Sequence, residues 1–159
     1  MTESKFKSLR HMETVRNYIN FVIRELLTRG EEHDQTKLQS PEVEIFEEYT
    51  PKLRHCSYGS NQYKQYMKEM RVGLDHHNEH SRHHPEHHPN GIEDMDLIDL
   101  IEMICDWRAA SLRHDDGNVM KSILMNQERF GYSDELTAIL LNTAQRLIDA
   151  DVDHYADES

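Results

Sequence analysis

The stretch KFKSLRHMETVRNYINFVIRELLTR, Lys5 to Arg29, decides the fold. Its apolar residues recur every three or four positions, at Phe6, Leu9, Met12, Val15, Ile19, Val22 and Leu26. That spacing places one apolar stripe along an amphipathic α-helix of about seven turns. Gly30 follows directly and is typical of a helix end, so the sequence predicts that the helix stops there.

The same helical pattern continues along the chain, and no alternation of the strand type persists. Pro41, followed by an acidic first turn, predicts a second helix that ends at Pro51. Ser60 is predicted to cap a third, long helix that continues to His77. A turn-rich segment at 78–91 precedes three more predicted helices, which begin near Asp94 or Asp96, at Asn118 and at Ser133.

These patterns predict an all-α fold, a single-domain bundle of six or seven helices over residues 1–150, with an acidic tail at 151–159. The length of 159 residues fits one domain. The 18 Lys and Arg against 30 Asp and Glu give a net charge of −12. That charge argues against proteins that coat duplex nucleic acid through its phosphates. With neither a membrane-length apolar run nor a signal peptide in the sequence, we expect a cytoplasmic protein.

Histidine is the unusual component, because seven of the twelve histidines fall between residues 76 and 88. One interpretation is a solvated, low-complexity segment that picks up metal adventitiously. His77 is the exception, since it continues the apolar stripe of the third helix and should face the core. His84, before a proline, is the second candidate ligand, whereas His80, His87 and His88 are interpreted as solvated.

Four residues outside this segment have side chains suited to a metal site. His11 lies in line with apolar residues of the first helix, so it is either a ligand or a hydrogen-bonded core histidine. The adjacent His33 and Asp34 can both bind a divalent ion. Asp106, between Cys105 and Trp107, is costly to bury unless a cation compensates it, although it can also reach solvent beside Glu102.

The order His11, His33-Asp34 and Asp106 resembles the HD-domain superfamily of metal-dependent phosphohydrolases, over roughly residues 9 to 110. Lys37 gives the HDxxK form of that motif, and His83-His84-Pro85-Glu86 with Gly91-Ile92 is similar to the double-histidine segment of its dinuclear branch. Over nearly the whole chain the sequence also looks like a small family of uncharacterised bacterial and phage proteins. Gly91 is not followed by Tyr-Pro, which argues against cleavage of cyclic dinucleotides.

The resemblance implies one ion held by His11, His33, Asp34 and Asp106, and a second held through Asp34, His77 and His84. Imidazole and carboxylate ligands suit manganese, iron, cobalt, nickel or zinc. Asp34 is the expected catalytic residue, with Lys37 placed to hold a phosphoryl oxygen. Further candidate substrate contacts are Tyr58, Ser60, Arg82 and Arg108. Each of these also has a structural interpretation, as a solvated cation, a helix cap or a tyrosine lid.

The expected function is therefore a metal-dependent phosphohydrolase that acts on a nucleotide or another small phosphate ester through a metal-activated water. A small anionic substrate is the expected partner, and duplex nucleic acid and membranes are not. Two alternatives stay open. One is a dinuclear iron oxygenase of HD type, and the other is a non-enzymatic protein that buffers metal or binds a partner.

Overall fold

A computed structural model describes residues 2–56, 60–113 and 117–150. The predicted all-α class is confirmed, since these residues form α-helices and short 3-10 turns and contain no strand. The helices of the described ranges are α1 (Glu3–Glu32), α2 (Glu42–Arg54), α3 (Asn61–Glu69), α4 (Arg71–His80), α5 (Leu97–Ser111), α6 (Val119–Phe130) and α7 (Asp134–Asp149). The 3-10 turns span Gln35–Leu38, Pro85–His87 and Gly91–Asp94. Within these ranges the helix count agrees with the predicted six or seven.

The chain divides into two compact units, the first ending at His33 and the second beginning at Asp34. The first unit is essentially α1. This helix continues past Gly30, so the predicted end at that glycine is wrong. A single glycine costs only about 1 kcal/mol in a helix interior. The chain leaves the helix at His33, and Asp34 takes the left-handed conformation, with φ 58°.

Two other helix boundaries differ from prediction. Pro51 lies inside α2, which continues for a further turn to Arg54, because a proline removes only one donor near a helix end. The third helix is two helices, since the backbone at buried Met70 (ψ −2°) ends α3 and begins α4. Ser60 caps α3 as predicted, its hydroxyl accepting from the Tyr63 N–H at 3.1 Å.

The apolar core of the second unit joins α5, α6 and α7. Its buried residues are Met103, Ile104, Val119, Ile123, Tyr132, Leu140 and Ala144. The Tyr132 hydroxyl is buried here and donates to the Ile123 carbonyl at 2.5 Å. Burial raises the pKa of Tyr132 to about 12, so the phenol stays neutral. This core fixes α5 as a rigid support for the polar residues on its other face.

A second region of the same unit brings α2 and α4 against the turn Gln35–Leu38. Gly73 allows the close approach, because a Cβ at this position would lie 3.1 Å from the Ile45 side chain. The α2–α4 contact positions the C-terminal half of α4, which carries the first histidines of the cluster. The predicted acidic tail, 151–159, lies outside the described residues.

We predict that Gly131→Ala lowers the free energy of unfolding by about 1 kcal/mol. Gly131 ends α6 with φ 69°, a conformation that an L side chain rarely adopts. Gly30→Ala is the control, because its backbone is helical and nothing lies near its Cβ position. Urea unfolding should show the loss for Gly131→Ala alone. Equal midpoints for Gly131→Ala and the unmodified chain would contradict the assignment.

Candidate metal centre

Asp34 is the first side chain of the site. Its left-handed backbone turns the chain from His33 into the 3-10 turn Gln35–Leu38. The Lys37 ammonium lies 2.5 Å from Asp34 Oδ2, an ion pair between residues three apart in the turn. The pairing places one carboxylate oxygen against Lys37 and directs the other, Oδ1, toward the histidines of α4 and the segment that follows it.

His77 is buried on α4 and contacts two carboxylates through its two ring nitrogens. Its Nδ1 lies 3.0 Å from Glu42 Oε2. An ionised carboxylate can only accept, so Nδ1–H donates and the neutral ring presents a lone pair at Nε2. That Nε2 lies 3.2 Å from Asp34 Oδ1, yet it is buried without a hydrogen bond. In this neutral tautomer two acceptor atoms face each other in the protein interior, an arrangement that a shared cation stabilises.

His83 repeats this arrangement from the other side. It is 2% exposed, and its Nδ1 lies 3.0 Å from Glu102 Oε1 on α5. Its Nε2 is 3.7 Å from Asp34 Oδ1. A carboxylate behind the distal nitrogen of a histidine fixes the tautomer and orientation of the ring, which is the usual support for a metal-binding histidine.

His84 completes the group. Burial, followed by the electrostatic influence of the neighbouring His83 and His77 rings, lowers the pKa of His84 to about 3. The ring is therefore neutral at ordinary pH and able to act as a ligand. Its Nε2 is buried and has no hydrogen-bond partner among the described residues. Its ring centroid lies 4.9 Å from that of His77 and 4.2 Å from that of His83.

The three histidines can share an ion, because each offers one ring nitrogen within 4.8 Å of the other two. Two tetrahedral ligand atoms, each about 2.1 Å from one ion, lie about 3.4 Å apart. The separations of 3.2 and 3.7 Å between Asp34 Oδ1 and the histidine nitrogens bracket this value. The Asp34 and Asp106 carboxylates also approach within 4.8 Å. The residues present therefore fit a divalent transition ion.

The structure thus brings four of the predicted site residues together, namely Asp34, His77, His84 and Asp106. His33 is the last residue of the first unit and is joined to Asp34 by a peptide bond. His11 lies on α1, where every described residue is at least partly exposed, and its predicted inward position is not observed. The ligand roles of His11 and His33 stay predictions.

The predicted substrate contacts have structural partners. Arg82 makes two hydrogen bonds to the buried carboxylate of Asp99, at 2.8 and 3.1 Å. Arg108 Nη1 lies 3.4 Å from the Ser111 hydroxyl, and Ser60 caps α3. Tyr58 lies outside the described residues. Substrate binding by these residues stays a prediction, and the geometry of Arg82 shows a structural role.

His88 is buried, so its interpretation as a solvated residue is wrong. It is 9% exposed, and its Nε2 donates to the Arg82 carbonyl at 2.9 Å. Sequence reasoning also missed three members of the site, His83, Glu42 and Glu102. The His83-His84 pair was a signal for the first, and the helical spacing of Glu102 from Asp106 was a signal for the last. For Glu42 the sequence indicated only an acidic residue in the first turn of a helix.

Comparison with protein families adds one relationship. Residues 1–148 match the model of a family of unknown function, DUF5662. The chain belongs to this family. No curated protein and no solved structure matches it significantly. In the described residues of this DUF5662 member, no helix is long and apolar enough to span a membrane.

We predict that Arg82→Ala lowers the free energy of unfolding by about 2 kcal/mol, because the buried Asp99 carboxylate loses two charged hydrogen bonds. Arg129→Ala is the matched control. It also removes an arginine from an ion pair, with Glu86, but the Arg129 side chain is 63% exposed. Its effect should stay below about 1 kcal/mol. Similar urea midpoints for both variants would contradict the structural role of Arg82.

Proposed function

We propose that this DUF5662 member is a metal-dependent phosphohydrolase that acts on nucleotides or similar small phosphate esters. The single observation that carries the proposal is the placement of His77 and His83 against Asp34 Oδ1, with the His84 ring in contact with both of theirs. Two of these rings are backed by carboxylates, and two have buried Nε2 atoms without a hydrogen bond. A site with orphaned imidazole nitrogens beside a carboxylate is typical of a metal centre.

The donor set restricts the ion. Imidazole and carboxylate ligands without a thiolate suit manganese, iron, cobalt, nickel or zinc, and Asp34 and Asp106 leave room for one or two ions. When bound, such an ion supplies a Lewis acid for a phosphoryl oxygen and lowers the pKa of a water molecule.

Lys37 is the proposed substrate-binding cation. Its ammonium lies beside Asp34 and 5.5 Å from the centre of the Phe46 ring, which limits the directions in which it can move. A phosphoryl oxygen that enters next to Asp34 would accept a charge-assisted hydrogen bond from Lys37. Asp34 would orient the attacking water and hold its proton at a carboxylate oxygen. Lys37 and Asp34 therefore have distinct roles, in binding and in chemistry.

The charge of the chain restricts the substrate. A net charge of −12 repels long polyanions, so only the local positive charge of the centre and Lys37 attracts phosphate. Small esters with one to three phosphates can enter this field, whereas duplex DNA meets the acidic surface. We therefore propose nucleotides as substrates and a cytoplasmic location for the enzyme.

We predict that His83→Ala lowers the affinity for the centre's ion at least tenfold, because it removes both a ligand and its link to Glu102. His87→Ala is the matched control from the same segment. The Nδ1 of His87 donates to the Glu79 carbonyl, and neither residue is a member of the proposed centre. Metal content after dialysis against a competing chelator measures both variants. Retention of the ion by His83→Ala, or equal loss from both, would reject the centre.

We predict that the manganese-loaded or iron-loaded chain releases phosphate or pyrophosphate from at least one nucleotide and leaves duplex DNA intact. Asp34→Ala should abolish this activity. Lys37→Ala should raise KM roughly tenfold, the equivalent of one charged hydrogen bond of about 1.4 kcal/mol. Lys52→Ala is the control, since this exposed lysine pairs with Glu48 on α2.

Three outcomes would reject the hydrolase proposal. They are cleavage of duplex DNA without nucleotide hydrolysis, oxygen consumption by the iron-loaded chain without phosphate release, and metal binding with no turnover of any nucleotide. The second favours the oxygenase alternative and the third favours a metal buffer. An unchanged KM in Lys37→Ala would reject only the binding role of Lys37.

A further inference from the structure

Two histidines of the cluster take no part in the centre around Asp34. His76 and His80 lie four residues apart on α4, and their rings stack with centroids 4.2 Å apart and planes 20° from parallel. His80 is exposed, and a third of the His76 side chain is accessible. The pair therefore faces solvent on the helix that carries buried His77.

Hydrogen bonds fix which nitrogen each ring presents. His76 Nδ1 lies 2.7 Å from Glu42 Oε1, and His80 Nδ1 lies 2.8 Å from the His76 carbonyl. Both partners are acceptors, so both Nδ1 atoms carry the proton and both neutral rings present a lone pair at Nε2. Histidines four apart on a helix project from one face, so the two lone pairs belong to a single surface.

We propose that His76 and His80 form a second, solvent-facing site for a divalent transition ion, separate from the centre around Asp34. Two neutral imidazoles suit nickel, copper or zinc, and water completes the coordination shell. Stacking keeps the two rings adjacent on one face of α4 before the ion arrives, and one ring turns about its side-chain bonds so that both Nε2 lone pairs meet the ion. The second ligand therefore binds at a high effective concentration.

Glu42 connects this outer site with the buried centre. Its Oε1 accepts from His76 and its Oε2 accepts from His77. The carboxylate that orients the buried ligand thus also orients one of the two outer ligands. The outer site needs neither an ion in the buried centre nor any hydrolase activity, because Glu42 orients His76 and the helix backbone orients His80 without an ion.

The test is a calorimetric titration of the full chain with Ni²⁺ alone. The unmodified chain should bind one more ion than His80→Ala, or bind that ion roughly 100-fold more tightly. His55→Ala is the matched control, since it removes an exposed histidine at the end of α2 and should change nothing. His80 is the last residue of α4, so its replacement should leave the helix intact. His80→Gln is a second variant, and circular dichroism should show unchanged helix content for both variants.

Separate outcomes distinguish the outer site from the proposed function. In a His77→Ala background the outer Ni²⁺ ion should still bind and should still be lost on adding His80→Ala. Unchanged stoichiometry and affinity in His80→Ala and His80→Gln would overturn the proposal. So would equal losses in His80→Ala and His55→Ala, which would show binding by exposed histidines in general. Failure of nucleotide hydrolysis leaves these results unaffected.

Discussion

The fully buried carboxylate of Glu42 is the group on which the histidine arrangement depends. It accepts hydrogen bonds from His76, His77 and the Thr36 hydroxyl, at 2.7, 3.0 and 3.1 Å. A buried carboxylate without such donors costs several kcal/mol, so these bonds hold α2, α4 and the turn Gln35–Leu38 in one register. His77 consequently has one orientation, with its Nε2 directed at Asp34. His76, one member of the outer pair, takes its orientation from the same carboxylate.

A second buried carboxylate plays the corresponding part for the segment after α4. Asp99 on α5 accepts both hydrogen bonds from Arg82, and His88 closes the segment by donating to the Arg82 carbonyl. The segment is thereby fixed against α5, whose core face packs on α6 and α7. One turn further along α5, the Glu102 carboxylate lies 3.0 Å from Nδ1 of His83. Structural ion pairs thus position the residues on which the proposed chemistry depends.

Local signals predicted the helices well, and tertiary contacts explain what they missed. The caps at Ser60, Asp96, Asn118 and Ser133 depend on residues two or three positions away, so sequence alone reveals them. The burial of His77 followed from helical periodicity and is confirmed. No glycine or proline stands at Met70, the break between α3 and α4, so the local sequence did not indicate it.

The site itself was only partly predictable for a related reason. Glu42 and His77 are 35 residues apart in sequence, so their pairing is a property of the fold. His83 and His84 are chemically identical neighbours in a segment without periodicity. Only the carboxylate of Glu102 distinguishes their roles.

Asp34 shows how an acidic chain can attract an anion. Its Oδ2 lies against the Lys37 ammonium, and its Oδ1 lies against the histidine nitrogens. Since burial, followed by the electrostatic influence of the neighbouring His83 and His77 rings, lowers the pKa of His84 to about 3, protonation of the His84 ring cannot supply positive charge here at neutral pH. In our proposal a divalent ion and Lys37 supply positive charge beside Asp34, in a site that also contains the carboxylates of Glu42, Glu102 and Asp106. The positive charge of the ion and Lys37 is local, so it favours a phosphate small enough to reach Asp34 over a polyanion that must also lie along the acidic surface.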